Sequence, residues 1–196
     1  MSKILKTANA VNDLPGGCKL PAYQFWNDMH NRCYSTKLLK RRPTYVGTSV
    51  SDEWKKLSNF NDYFNEYYQY GFQLDKDLIL MGNRIYCPEY AVFVPSYVNI
   101  AVVNKKAVGL LGAFNSGKRY RSLISIDNKL THLGTFDTAY EAHNAWRQQK
   151  VVVLNNVAKR YKSEAIKYDS RVYDALVMRS DLINDDIKNN RVTCKF

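Results

Sequence analysis

Long apolar runs are missing from this chain. No segment approaches the roughly 20 apolar residues that a membrane-spanning helix needs, and the opening stretch MSKILKTANAVNDL lacks an apolar core of signal-peptide length. These absences predict a soluble, cytoplasmic protein without a membrane partner. Cysteine is scarce too: Cys18, Cys33, Cys87 and Cys194 lie far apart and form no C-x-x-C pair. That spacing argues against a zinc ribbon and against a dense disulfide framework, and it fits a reducing compartment. No internal repeat is long enough for a solenoid. Histidine occurs only at His30, His132 and His143, which limits where imidazole chemistry can sit, and His30 reads as a polar surface residue of the first helix.

Positive charge and aromatic rings are plentiful. Against 18 Asp and Glu stand 29 Lys and Arg, a formal charge of +11. Such an excess favours a polyanionic partner through charge neutralisation and counterion release, and nucleic acid is the obvious one. The 15 Tyr, 8 Phe and 3 Trp can anchor a core or stack on bases, and only their spacing separates the two uses. At 196 residues there is room for one medium domain or two small ones.

Periodicity predicts an α+β protein. Residues 1–20 read as a polar leader ending in LPGG. In AYQFWNDMHNRCY, Phe25, Trp26, Met29 and Cys33 recur at helical spacing, and KLLKRRPTYVG then breaks that helix. Ser51 can cap a turn carrying Trp54 and Leu57. Phe60, Tyr63, Phe64, Tyr67 and Tyr68 follow at i, i+3, i+4, i+7 and i+8, a stripe read as core. Residues 74–87 alternate around Gly82-Asn83, a hairpin signal, and VFVPSYVNIAV reads as a strand turning into a helix after Pro95. Two strands followed by a helix suggest a small ββα-metal-like finger with flanking helices. A change of composition at NKKAVG divides this module, residues 21–104, from a second one at residues 105–162. There VGLLGAF, RYRSLISID and LTHLGTF predict three antiparallel strands, and Asp137 or Thr138 caps one long helix packed on them. Residues 163–196 form a helical tail, with KNNRVTCKF expected to fray.

The stretches SGKRYRSLISI and HLGTFDTAYEAHNAW resemble the ethylene-response-factor type of DNA-binding domain, which also occurs in phage-encoded endonucleases. FWNDMHNRCY, PTYVGTSVSDEW, NFNDYF, LDKD, GNRIYCPEYAVFVP and Asn99 resemble the phage HNH-type (His-Me finger) proteins that carry such a domain. The resemblance implies a homing-type endonuclease architecture with double-stranded DNA as partner. In the DNA-binding family the sheet enters the major groove, with alternate residues reaching the duplex. Counting by two puts Tyr120, Ser122, Ile124 and Ile126 against the helix, and Arg119, Arg121, Leu123 and Ser125 outward. His132 and Leu130 match outward positions of the third strand, while Lys118 and Lys129 can touch phosphate from the turns. Lys118, Arg119, Arg121, Ser125, Lys129 and His132 are therefore the expected DNA-binding residues. The family's first-strand arginines correspond here to Leu111 and Ala113.

For the finger, the resemblance implies a divalent metal, Mg or Mn, held by Asp75 and Asn99, with Asp75, Lys76 and Asp77 as the catalytic set if the centre cuts. The position of the usual general-base histidine is held by Lys76. An ammonium has no lone pair with which to take a proton from water. Two expectations follow: a DNA-binding protein of the HNH type, hydrolysing phosphodiester bonds with metal, or a nuclease-derived phage protein that no longer cuts and regulates a host protein. The second rests on Leu111, Ala113 and Leu123 as an exposed apolar patch, through which the chain could also form a homodimer.

Overall fold

The computed structural model describes residues 9–103 and 109–196, and the backbone of residues 3–5. The chain is α+β and divides into two compact units, Met1–Phe93 and Val94–Phe196. The boundary falls earlier than the one read from composition, and most of NKKAVG, residues 104–108, lies outside the described residues. Among the described residues no helix is long and apolar enough to cross a membrane.

The first unit opens on strands β1 (Lys3–Leu5) and β2 (Ala10–Asn12), an antiparallel pair, so the leader is not a plain polar tail. Ala10 is fully buried and the Asn12 side chain is tucked against Gly17, which anchors the segment. Helix α1 (Pro21–Tyr34) starts on a proline whose missing N–H costs nothing in a first turn. It buries Trp26, Met29 and Cys33 as the spacing predicts. A six-residue helix α2 (Thr36–Arg41) follows, capped by Ser35 Oγ accepting from Leu38 N, where the sequence had suggested only a break. Strand β3 (Ser49–Val50) leads through a 3-10 turn at Glu53–Lys55 to α3 (Leu57–Tyr67). The aromatic stripe is core: Phe64 and Tyr68 stack at 4.3 Å, Phe93 meets both edge-on, and Tyr63 Oη donates to Ala91 O at 2.6 Å.

Strands β4 (Gln73–Asp75), β5 (Ile85–Tyr86) and β6 (Val92–Val94) do not form the hairpin suggested by Gly82-Asn83. Instead β4 pairs with β6, while β5 pairs in parallel with β3. The cause is local: Asp75 and Asn83 side chains capture backbone groups of the intervening loop, so its N–H and C=O groups are satisfied without a ladder.

His30 corrects another expectation. Placed on the surface by sequence, it is 1 % exposed, and its Nε2 donates to Trp54 O at 3.2 Å, the same carbonyl that accepts from Trp26 Nε1 at 2.7 Å. Burial lowers its pKa to about 4, so the ring is neutral at physiological pH and serves packing.

The second unit begins with α4 (Ser96–Val102), entered from Pro95. Strands β7 (Ala113–Ser116), β8 (Arg119–Ile126) and β9 (Lys129–Phe136) form the expected antiparallel sheet in the order β7-β8-β9, but the first strand starts only at Ala113 and runs past VGLLGAF through Asn115 and Ser116. The long helix α5 (Ala139–Glu164) packs on β8, and Thr138 is its cap: Thr138 Oγ1 accepts from Glu141 N at 3.1 Å, and Glu141 Oε2 accepts from Thr138 N at 3.0 Å. Arg160 of α5 lies 4.0 Å from the Tyr97 ring, which helps hold α4 in this unit. Helix α6 (Ser170–Lys188) lies along α5, with Asn155 Nδ2 donating to Ser180 Oγ at 2.9 Å.

The final residues dock rather than fray. Phe196 is 4 % exposed and meets the Trp146 ring at 5.7 Å, Thr193 N donates to His143 Nε2 at 3.3 Å, and Arg147 Nη1 donates to Arg191 O. His143 Nδ1 in turn donates to Leu111 O at 2.8 Å, so one neutral imidazole ties the start of the sheet to the end of the chain. Nothing in KNNRVTCKF by itself reveals these partners, because all of them sit on α5 or ahead of β7.

Candidate nucleic-acid interface

Strand β8 sorts its side chains as period two demands. Ser122 and Ile124 are buried toward α5, with Tyr120 and Ile126 half-buried on that side, whereas Arg119 and Arg121 are exposed and Leu123 and Ser125 half-buried. A bulge between Ser122 and Leu123 leaves Leu133 without a partner in the β8–β9 register, which runs Arg121↔Thr135, Leu123↔His132 and Ser125↔Leu130. Arg121, His132 and Leu130 thus share the exposed side. The β8–β9 turn is built by Asp127 and Asn128, both at positive φ (47° and 65°), the geometry two-residue hairpin turns require. It delivers Lys129 to the surface; the Gly117 turn does the same for Lys118.

The two arginines differ. Arg119 is 53 % exposed, but its Nε sits 2.9 Å from Asp137 Oδ1 and its Nη2 donates to Thr135 O at 3.1 Å. Asp137 is 81 % exposed, so the pair is a solvent-screened one of small worth that a phosphate can displace. Among the described residues Arg121 has no ion-pair or hydrogen-bond partner, so its five guanidinium donors face outward unspent. His132 Nε2 lies 3.3 Å from Thr135 Oγ1, in the same exposed strip.

Of the apolar patch expected from Leu111, Ala113 and Leu123, only Leu123 stays on the outward side, half-buried. Leu111 and Ala113 are both 0 % exposed. Ala113 pairs with the inward-facing Ser122, and Leu111 precedes the strand with its carbonyl bound to His143, so both belong to the helix side. Of the exposed apolar side chains on this face, Leu130 remains, at 67 % exposure.

The loop after β4 is organised around its own polar groups. Asp75 Oδ1 accepts from Asp77 N at 2.9 Å and Leu78 N at 2.7 Å. Lys76 Nζ lies 3.0 Å from Asp77 Oδ2 and donates to Asn83 O at 3.1 Å, while Asn83 Nδ2 donates to Lys76 O and Ile85 O. Burial, and then the adjacent Asp77 charge, push the Asp75 carboxyl above the usual carboxylate range. A hard divalent ion needs several oxygens converging on one point. Here one Asp75 oxygen is committed to backbone N–H groups and Asp77 Oδ2 is paired with the Lys76 ammonium. Asn99 lies on α4. Among the described residues no group of three or more His, Cys, Asp or Glu side chains could hold a metal. The donor set does not fit the metal that the resemblance implies.

Two features escaped the sequence reading. Lys150 of α5 is 2 % exposed and lies over the Trp146 and Phe196 rings at 5.6 and 5.0 Å, a placement invisible without the docked C-terminus. The run KLLKRRP, taken only as a helix break, lines a cleft of about 650 Å³ with α1. Its signal was available: between Asp28 and Asp52 there is no acidic residue, yet Arg32, Lys37, Lys40, Arg41 and Arg42 all occur there. No protein-family model matches the chain, and neither a curated protein nor a solved structure matches it at a significant level.

Proposed function

We propose that this chain binds double-stranded DNA through the exposed face of β8 and β9 and does not cut it. The observation that carries the reading is Arg121, exposed on the middle strand and without a partner among the described residues, with Arg119, His132 and the turn residues Lys118 and Lys129 exposed on the same sheet in a chain of charge +11. Lys118 and Lys129 contact phosphate, Arg121 reaches the groove, and Arg119 exchanges Asp137 for the duplex. The resemblance to ethylene-response-factor-type domains supports the same face. The resemblance to HNH-type phage proteins supports a nuclease ancestry for the first unit, whose Asp75, Lys76 and Asp77 now close on one another. The alternative, a regulator of a host protein through an apolar patch, loses Leu111 and Ala113 as contact residues and keeps the half-buried Leu123.

Duplex-DNA affinity, read by fluorescence anisotropy across a salt series, is expected to fall steeply with ionic strength. In Arg119→Ala combined with Arg121→Ala the affinity should fall and the slope of log K against log salt should shrink by about 1, because each phosphate neutralised contributes about 0.9 and only Arg119 of the two is assigned to the backbone. An unchanged affinity and slope would remove the sheet from the interface. Supercoiled plasmid is expected to stay intact with magnesium or manganese. Nicking that vanishes in Asp75→Ala would reverse the non-cutting half of the proposal.

A further inference from the structure

The cleft between α1 and α2 is lined by Arg32, Lys37, Arg41 and Arg42, with Asp28 and Asn31 on its α1 side. Asp28 is the one acidic residue there, and its Oδ1 already accepts from Gln24 Nε2 at 2.8 Å. Positive potential is therefore concentrated in a concavity, where low-dielectric walls focus it.

Helix stability does not account for all of this charge. Cations favour the last turn of a helix, which explains Arg32 on α1 and Lys40 and Arg41 on α2. Lys37 sits in the first turn of α2, the positive end, and no acidic residue accompanies it there. Arg42 is the C-cap of α2 and shares the favourable end with Lys40 and Arg41. Lys37 therefore adds repulsion that the helix itself does not use. Arg32, by contrast, is half-buried and its Nη1 donates to Tyr86 Oη at 3.5 Å, which restrains the guanidinium at the cleft wall before any ligand arrives. One restrained arginine with three exposed cations beside it is a design for an anion carrying more than one charge.

We infer that this cleft seats consecutive phosphates of a DNA backbone, making the first unit a second phosphate-binding surface for the partner proposed above, on which the inference rests. A volume of about 650 Å³ admits a nucleotide-sized group rather than a whole duplex, so the contact is to one strand's sugar-phosphate chain. It carries affinity without sequence information.

The test compares three variants of the full chain by anisotropy with a fluorescent duplex over a salt series: Lys37→Ala/Arg41→Ala/Arg42→Ala in the cleft, Arg119→Ala/Arg121→Ala on the sheet, and Lys159→Ala/Lys162→Ala/Lys188→Ala as a control of equal charge loss. Arg32 is left intact because it also braces Tyr86, and circular dichroism verifies folding. The cleft variant should bind about tenfold more weakly at moderate salt and lose about 2 to 3 from the salt slope, with the control losing much less. Equal losses in cleft and control variants would reduce the effect to net charge and overturn the inference. An unaffected cleft variant alongside a weakened sheet variant overturns it while sparing the sheet. A weakened cleft variant alongside an unaffected sheet variant spares the cleft and removes the sheet. No duplex binding by the parent chain at low salt removes both. Competition separates the sources of phosphate: inorganic pyrophosphate that displaces the duplex as well as an unlabelled duplex does would assign the cleft to a small anion and overturn the DNA assignment.

Discussion

Gly112→Ala is expected to cost about 4 kcal/mol of folding stability, a large part of the 5–15 kcal/mol a domain typically has. Gly112 has φ +74°, a backbone conformation that disfavours any side chain, and a Cβ built there would fall inside the Trp146 side chain. Trp146 cannot retreat. It is 4 % exposed, stacked against His143 at 5.9 Å and met by Phe196 from another side. Gly112 O also accepts from Leu123 N at 3.0 Å, so a shift of its backbone would disturb the sheet at the strand that carries Arg121. Gly117→Ala is the matched control, with φ +66° and open space around the position; only the local strain of about 1 to 2 kcal/mol remains. Urea titrations followed by circular dichroism read both values. A Gly112→Ala midpoint no lower than that of Gly117→Ala would mean that α5 does not press on β7 as described.

Lys150→Met is expected to work the other way and stabilise the second unit by about 2 kcal/mol at pH 7. The Lys150 ammonium is buried among Trp146, Phe196 and the walls of a cavity of about 300 Å³ that includes Ile100, Val103 and Leu123. Among the described residues no carboxylate pairs with it. Burial lowers its pKa from 10.5 to about 8, a difference worth about 3 kcal/mol, part of which the two rings return. Below pH 8 both folded and unfolded chains hold this proton, and the cost is present in full. Between about pH 8 and 10.5 the unfolded chain holds a proton that the folded chain has released, so this group makes stability rise with pH. Above 10.5 neither state is charged and the cost is gone. Methionine keeps the stem without the charge. The difference in unfolding free energy between parent and variant should therefore be largest at pH 7 and shrink toward pH 10.5. A pH-independent difference would place the ammonium in water.

Elements with strong periodicity were legible before any coordinates. The α1 face of Trp26, Met29 and Cys33, the aromatic stripe of α3, the strands β8 and β9 and the Thr138 cap all follow from spacing and local chemistry, because each depends on residues within one turn or one strand. The partition of β8 into buried and exposed faces was legible for the same reason. Pairing partners were not. Gly82-Asn83 is good hairpin chemistry, yet β5 joins β3, with Ser49 opposite Ile85, since Ser49 N finds Arg84 O and Ser51 N finds Tyr86 O. His30 looked like a surface residue because its reason for burial, the Trp54 carbonyl, lies 24 positions away.

The sequence by itself determined the charge of +11, the α+β content, and a middle strand with arginines at alternate positions, since these are properties of composition and of period two and 3.6. Tertiary structure alone decided which of those arginines is engaged: Arg119 meets Asp137 only when the end of β9 folds back beside the start of β8, and Arg121 is left facing outward. It also turned Leu111 and Ala113 inward, closed Asp75, Lys76 and Asp77 on one another, and gathered KLLKRRP into a cleft against α1. Each of these depends on two distant segments meeting, and the local pattern of either segment holds no record of the other.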